Sequence, residues 1–298
     1  MKKWWILLVA FAVWIGLGCI LLPPEHAGSA FERRPSHAPT RIVSMAPSLT
    51  EILFSLELEE NIVGVTQDSD YPPAAAEKRA VGTFWQPNIE AVIALKPDLV
   101  VTLDLEQHRN MTDRLTRMGY KCLSLDILTV ADLFTAMPVV AAATDRTQQA
   151  SQVLSNIQTR IATIREATTG RGRVRVLWVV QRDPLRVAGR NTFINEMIEL
   201  AGGENAIGPT FHVYPPIGGE QVIASAPDVI IEPDMIGGDL AGQRVQALSY
   251  WGRYPTVPAV ANGRIHVIDG SLVSRLGPRL GEAVEMIAKY LRPEVFGE

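Results

Sequence analysis

Residues 90–101 read Glu-Ala-Val-Ile-Ala-Leu-Lys-Pro-Asp-Leu-Val-Val, and residues 220–231 read Glu-Gln-Val-Ile-Ala-Ser-Ala-Pro-Asp-Val-Ile-Ile. Glu, Val, Ile, Ala, Pro and Asp match at one constant spacing of 130 residues. Each copy predicts a short helix opened by an acid, a Pro-Asp turn, and then a buried β-branched strand. The acid complements the helix dipole. The proline stops the helix because its ring disfavours α geometry in the residue before it. One copy alone is an ordinary helix–strand unit. Two copies in register imply duplicated lobes.

The flanking segments repeat as well. A strand over residues 41–44 and a helix over 50–58 match a strand over 174–180 and a helix over 192–200. Asn61-Ile62-Val63-Gly64 resembles Asn205-Ala206-Ile207-Gly208, and strand 121–125 resembles strand 264–268. Strands alternating with helices predict mostly parallel sheets covered by helices. Between the halves, Ala150, Val153, Leu154, Ile157, Ile161 and Ile164 recur at helical spacing over residues 145–167, with no Pro or Gly. That length spans about 35 Å at the rise of an α-helix, enough to reach from one lobe to the next. A single helical connector resists bending, so closure on a ligand is expected to be small. The expected organisation is a first lobe over 41–144, a connecting helix over 145–169 and a second lobe over 170–298.

The N-terminus reads as an export segment. Lys2 and Lys3 precede an apolar run of 19 residues, 4–22, which Pro23-Pro24 ends. Three outcomes stand: cleavage near Gly28-Ser29-Ala30, lipid attachment at Cys19, or retention as a membrane anchor. A lipid-attachment motif has an aliphatic residue where Gly16 stands. Each outcome puts the rest of the chain outside the cytoplasmic membrane, periplasmic or extracytoplasmic. Residues 1–30 are therefore set apart as signal or anchor, and 31–40 as a tether.

Charge and motifs exclude several classes. Lys and Arg number 28 against 32 Asp and Glu, a net charge of −4, which is wrong for a protein that coats nucleic acid. Two cysteines make neither a disulfide scaffold nor a Cys-rich zinc site, and the five histidines form no close metal pair. No nucleophile elbow, Walker A loop or dinucleotide fingerprint occurs, so no catalytic residue, resident metal or cofactor is expected. Asp68 and Asp70 read as turn residues, and Cys122 as an inert strand residue.

Aromatic residues interrupt the predicted loops. Tyr71 sits between Asp70 and Pro72-Pro73, Phe84-Trp85 between Gly82 and Pro87, and Tyr214 ahead of Pro215-Pro216. All lie at strand ends, where α/β proteins place ligands. Arg275 lies in a loop entering the last helix.

Several stretches resemble the periplasmic substrate-binding proteins of metal-chelate ABC transporters, nearest to the vitamin B12-binding branch. They are Arg41-Ile42-Val43-Ser44, Pro47-Ser48-Leu49-Thr50-Glu51, Ser69-Asp70-Tyr71-Pro72-Pro73, Asn88-Ile89-Glu90 with Ala94-Leu95-Lys96-Pro97-Asp98, Gly202-Gly203-Glu204-Asn205, Glu220-Gln221-Val222 and Pro278-Arg279. The resemblance covers about residues 41–291. It implies the class III fold: two similar α/β lobes joined by one long helix, with the ligand cleft between them. It implies delivery of a corrinoid to a permease dimer with its ATPase. A ferric siderophore or haem is the alternative cargo, and a membrane-tethered sensor the alternative role. A bulky, partly apolar chelate needs aromatic faces and a few polar groups. The resemblance assigns Tyr71, Phe84 and Tyr214 to the cleft, with Trp85 adjacent, and Arg275 to a loop that faces it. The branch favours Trp where Phe84 and Tyr214 stand. It also implies that Glu90 and Glu220 meet arginine pockets on the two permease subunits.

Overall fold

The computed structural model describes residues 38–234 and 239–297. The apolar run, Cys19 and most of the tether lie outside them. Among the described residues no helix is long and apolar enough to cross a membrane.

The first lobe runs β1 (Ile42–Ser44), α1 (Pro47–Ser55), β2 (Ile62–Gly64), α2 (Ile89–Ala94), β3 (Leu99–Leu103), α3 (Glu106–Arg117) and β4 (Cys122–Leu125). Then come α4 (Val130–Thr144) and α5 (Thr147–Thr168). The second lobe runs β5 (Val174–Arg182), β6 (Leu185–Val187), α6 (Phe193–Leu200), β7 (Gly203–Asn205), α7 (Gly219–Ser225), β8 (Val229–Asp234), α8 (Leu240–Trp251), β9 (Ile265–Asp269) and α9 (Leu280–Leu291). The first sheet is parallel in the order β2-β1-β3-β4. In the second, β7-β5-β8-β9 repeats that order, again parallel. The antiparallel β6 is an addition, paired with the far end of the longer β5.

The duplication reaches individual atoms. The Arg41 backbone N–H donates to Asp98 Oδ2 at 3.0 Å, and its guanidinium donates to Leu95 O at 3.0 and 2.6 Å. In the second lobe the Arg175 N–H donates to Asp228 Oδ2 at 2.9 Å, and its guanidinium to Ser225 O at 3.1 and 2.6 Å. The Pro-Asp turn therefore ties the helix end to the neighbouring strand twice. Before each proline the chain leaves α geometry for the left-handed region, at Lys96 (φ 45°) and Ala226 (φ 40°).

One apolar cluster joins the lobes, taking Ile42 and Val101 from the first sheet and Val176, Trp178, Val229 and Ile231 from the second. The connector α5 buries Ala150, Ile157 and Ile164 against it, a stripe one residue wide every two turns. It packs on α4, α9 and α1. Each fully buried aliphatic side chain stabilises this junction by about 1.5–3 kcal/mol.

Two elements differ from expectation. The helix expected over 50–58 starts at Pro47, because proline is preorganised for the first turn, and it stops where Glu57 turns left-handed (φ 60°). The connector is preceded by α4, which the sequence reading leaves out. Pro138 interrupts that segment, but it lies on the exposed side while Leu133, Ala136, Met137, Val140 and Ala141 face inward. Asp145 (φ 58°) separates α4 from α5.

Candidate functional site

Parallel strands deliver their following loops to one end of each sheet, and the aromatic loops lie there. In the first lobe the loop after β2 is held by hydroxyls. Thr50 Oγ1 donates to Ser44 Oγ at 2.8 Å or to Ser69 Oγ at 3.0 Å, and Thr66 and Ser69 hydroxyls meet at 2.9 Å. All four side chains are buried, so the network fixes the turn that carries Asp70 and Tyr71.

The Phe84-Trp85 loop is held differently. Asp68 Oδ2 accepts from the Phe84 N–H at 2.5 Å, and buried His108 donates from Nε2 to Phe84 O at 2.8 Å. Because the Phe84 carbonyl can only accept, Nε2 carries a proton, and His108 Nδ1 lies 3.1 Å from the Thr102 hydroxyl, which can donate to it. The Phe84 ring meets His108 and Trp85 edge-on, with centroids 5.2 and 4.9 Å away. Gly82 (φ 100°) makes the loop possible: a Cβ there would come within 2.6 Å of Gln86 O.

Across the lobe boundary lies an ionic cluster. Glu51 on α1 is buried, its side chain 1% exposed. Arg279 grips it with two bonds, Nε to Oε2 at 2.8 Å and Nη2 to Oε1 at 2.6 Å. Arg275 Nη1 stands 3.4 Å from Glu51 Oε1, pairs with Asp70, and its Nη2 donates to Asp68 O at 3.1 Å. The Arg279 guanidinium also lies over the Tyr71 ring, 3.7 Å from its centroid. Burial by itself works against the Arg279 charge, and the Glu51 carboxylate more than restores it, so its pKa is raised. A hollow of about 680 Å³ opens beside the cluster, lined by Glu51, Tyr71, Ile157, Arg160 and Arg279 among others.

The structure thus links Tyr71, Phe84, Trp85 and Arg275 through Asp68, Asp70, Glu51 and Arg279. Arg275 is engaged by lobe-to-lobe partners on both sides of its fork. Tyr214 stands apart from these contacts. Its loop is held by backbone pairing, with Gly189 N donating to Val213 O at 2.8 Å and Ile217 N to Leu185 O at 3.0 Å. The Tyr214 ring packs on the same apolar cluster as Phe84, and burial raises its hydroxyl pKa. Tyr71 is 40% exposed and Trp85 69%. Sequence reasoning missed Phe211, 96% exposed on the Tyr214 loop, although the signal that selects Tyr214, an aromatic in a loop, applies to it. It also assigned no role to Glu51, Arg279, Asp68 and Asp70 in joining the lobes, since each finds its partner far along the chain.

Glu90 and Glu220 occupy the first turns of α2 and α7, both exposed. Neither carboxylate has an ion-pair partner among the described residues. Among those residues no group of three or more His, Cys, Asp or Glu could hold a metal ion. Cys122 is half-buried on β4, and burial raises its thiol pKa.

The profile of a family described as periplasmic binding protein matches residues 42–272. A vitamin B12-binding protein of Salmonella typhi is 28% identical over 255 residues, covering 86% of this chain and 91% of the relative. An uncharacterised ABC transporter substrate-binding lipoprotein of Bacillus subtilis is 28% identical over 267 residues, covering 87% and 82%. A solved periplasmic haem-binding protein of Pseudomonas aeruginosa superposes with a TM-score of 0.76 at 26% identity, covering 86% of this chain and 94% of that one.

Proposed function

Because the chain belongs to the periplasmic binding protein family, we propose that it serves an ABC importer outside the cytoplasmic membrane and that its cargo is a corrinoid. One observation carries the reading: the exposed aromatics Tyr71 and Trp85 stand on strand-end loops of a chain that follows a vitamin B12-binding protein over 91% of that relative's length. A flat, partly apolar chelate would stack on these rings and on Phe84 and Tyr214, since aromatic faces supply apolar area and leave polar tips free. Arg275 would act by holding Asp70, and with it the Tyr71 loop, while any free donor meets an amide or carboxylate of the ligand.

Haem is the second reading. It is favoured by the likeness to the Pseudomonas aeruginosa haem-binding protein and by a phenol, Tyr71, under the guanidinium of Arg279. Native mass spectrometry against cobalamin, cobinamide, haem and ferric siderophores separates the two. One corrinoid per chain is expected. Haem retention without any corrinoid would replace the first reading by the second, and retention of a ferric siderophore alone would overturn both.

Glu90 and Glu220 are proposed as the contacts to the permease dimer. They are exposed, unpaired and repeated, and arginine–carboxylate pairing gives orientation as well as affinity. Glu90→Ala and Glu220→Ala should leave ligand binding unchanged and each reduce uptake, with the double variant nearly inactive in transport. A double variant that supports full uptake would leave these acids with only their helix-dipole role.

A further inference from the structure

On the second lobe, the edge strand β9 and helices α8 and α9 enclose a second cavity, of about 450 Å³. Its lining includes Arg244, Arg264, His266, Lys289 and Tyr290, and no carboxylate among the described residues. Three cationic side chains therefore converge in a chain whose net charge is −4.

Their partners do not cancel that charge. Arg264 Nη2 donates to the Tyr290 and Leu291 carbonyls, at 3.0 and 2.7 Å. These are neutral acceptors at the end of α9, and they hold the guanidinium in place. Lys289 has one exposed neighbour, Glu285, at 3.4 Å, which Arg160 shares at 3.3 Å. Arg244 has no ion pair among the described residues. His266 stacks against Tyr290, with centroids 4.5 Å apart, and its buried Nε2 has no hydrogen-bond partner. Burial, then the charges of Arg264 and Arg244, lower its pKa to about 4. At neutral pH the ring is uncharged, and one of its nitrogens is a donor that the protein can leave open to a ligand.

We infer that this cavity binds an anion of the phosphate type, through the guanidinium of Arg244, the ammonium of Lys289, the fixed Arg264 and the imidazole of His266. Donors that converge from several directions suit a tetrahedral oxyanion, and charge-assisted hydrogen bonds to guanidinium are the strong ones. The same chemistry is offered by free phosphate and by the headgroup of an anionic lipid. The site is independent of the cargo reading, because none of its residues belongs to the aromatic loops.

The test uses the full-length chain in neutral maltoside micelles, with histidine labelled for NMR. Inorganic phosphate is titrated in one arm. In the other, phosphatidylglycerol is added to the micelles, with phosphatidylcholine as control. An anion beside His266 offsets the arginine charges, so the imidazole should hold its proton about ten times more tightly. Arg244 and Lys289 are exposed, and the double variant R244Q/K289Q should weaken the response about tenfold with the melting temperature unchanged. Arg264 is left in place because it holds the end of α9. Response to phosphate assigns the site to a soluble anion, and response to phosphatidylglycerol alone assigns it to a lipid headgroup. No His266 response to either, or a response that the double variant keeps in full, overturns the inference.

Discussion

Each lobe buries one glutamate in the fork of an arginine, and the two forks do different things. In the second lobe Glu232 on β8 accepts from Arg182 Nε at 2.8 Å and Nη2 at 2.6 Å, and Arg182 belongs to the adjacent strand β5. In the first lobe Glu51 is gripped in the same way by Arg279, which lies 228 residues away in the other lobe. One fork stitches a sheet, while the other joins two bodies and carries Tyr71 on its back. The loops differ in the same sense. Side chains from distant segments build the Tyr71 and Phe84 loops, whereas backbone pairing to the added β6 builds the Tyr214 loop. A duplicated scaffold has diverged where its lobes meet.

The largest effects should come from these buried acids. Glu51→Ala strips the carboxylate from the largely buried Arg279 and should destabilise the fold by about 3–5 kcal/mol, whereas Glu232→Ala, whose partner Arg182 is 24% exposed and keeps its bond to Gln243 O, should cost less. Only Glu51→Ala should also loosen the lobe angle. Small-angle scattering of that variant should show a drop in radius of gyration on ligand binding that the parent chain, braced by α5 and the ion cluster, does not show. A large drop in the parent would contradict the rigid connector.

Next come the aromatics. Tyr71→Ala and Tyr214→Ala should each weaken corrinoid binding by about 1–3 kcal/mol, measured by calorimetry. Replacing Arg279 by Lys should weaken binding in the manner of Tyr71→Ala and leave the Tyr214 contribution intact, since Lys cannot both fork onto Glu51 and stack on the ring. Equal losses at both tyrosines in the Arg279→Lys background would show that the loops are not independently built.

The turn aspartates should follow. Asp98 accepts from Thr40 N, Thr40 Oγ1 and Arg41 N, all at about 3 Å, but among the described residues Asp228 accepts only from Arg175 N in the corresponding turn. Chemical denaturation should therefore show a greater cost for Asp98→Ala than for Asp228→Ala, with about 1 kcal/mol per bond as the upper scale at these solvated positions.

A pH slope should also arise in the second lobe, at His266. The His266 pKa is lowered to about 4 when folded, against about 6.5 in an unfolded chain. The unfolded state thus binds more protons between those values, and stability falls as pH drops through that window. The melting temperature of His266→Asn should fall less over the same range.

The duplicated helix–turn–strand, the parallel α/β lobes and the helix after residue 145 were all legible, because each is encoded within a dozen residues by periodicity and turn chemistry. Even the sheet order had its clue in the repeat, since equivalent segments take equivalent places. The helix α4 was not legible, because Pro138 is tolerated only through the tertiary choice of which side faces water. The aromatics Tyr71, Phe84, Trp85 and Tyr214 could be picked out from their loops, but nothing local said that Phe211 is the most exposed of all. Asp68 and Asp70 looked like turn residues; Asp68 is one, and Asp70 follows the turn in irregular chain. What made them more was Arg275, 205 residues beyond Asp70.

By itself, then, the chain's sequence determined two similar lobes, a helical connection and the loops that carry aromatic rings. Only the tertiary structure decided which of those loops are locked together, which arginines are occupied and where cationic side chains converge on one cavity. The reason is range. Helix periods, caps and turns are settled by neighbours, so they can be read from neighbours. An ion pair between Glu51 and Arg279 depends on how two separately folded bodies meet, and burial then makes that pairing obligatory by raising the cost of leaving either charge alone.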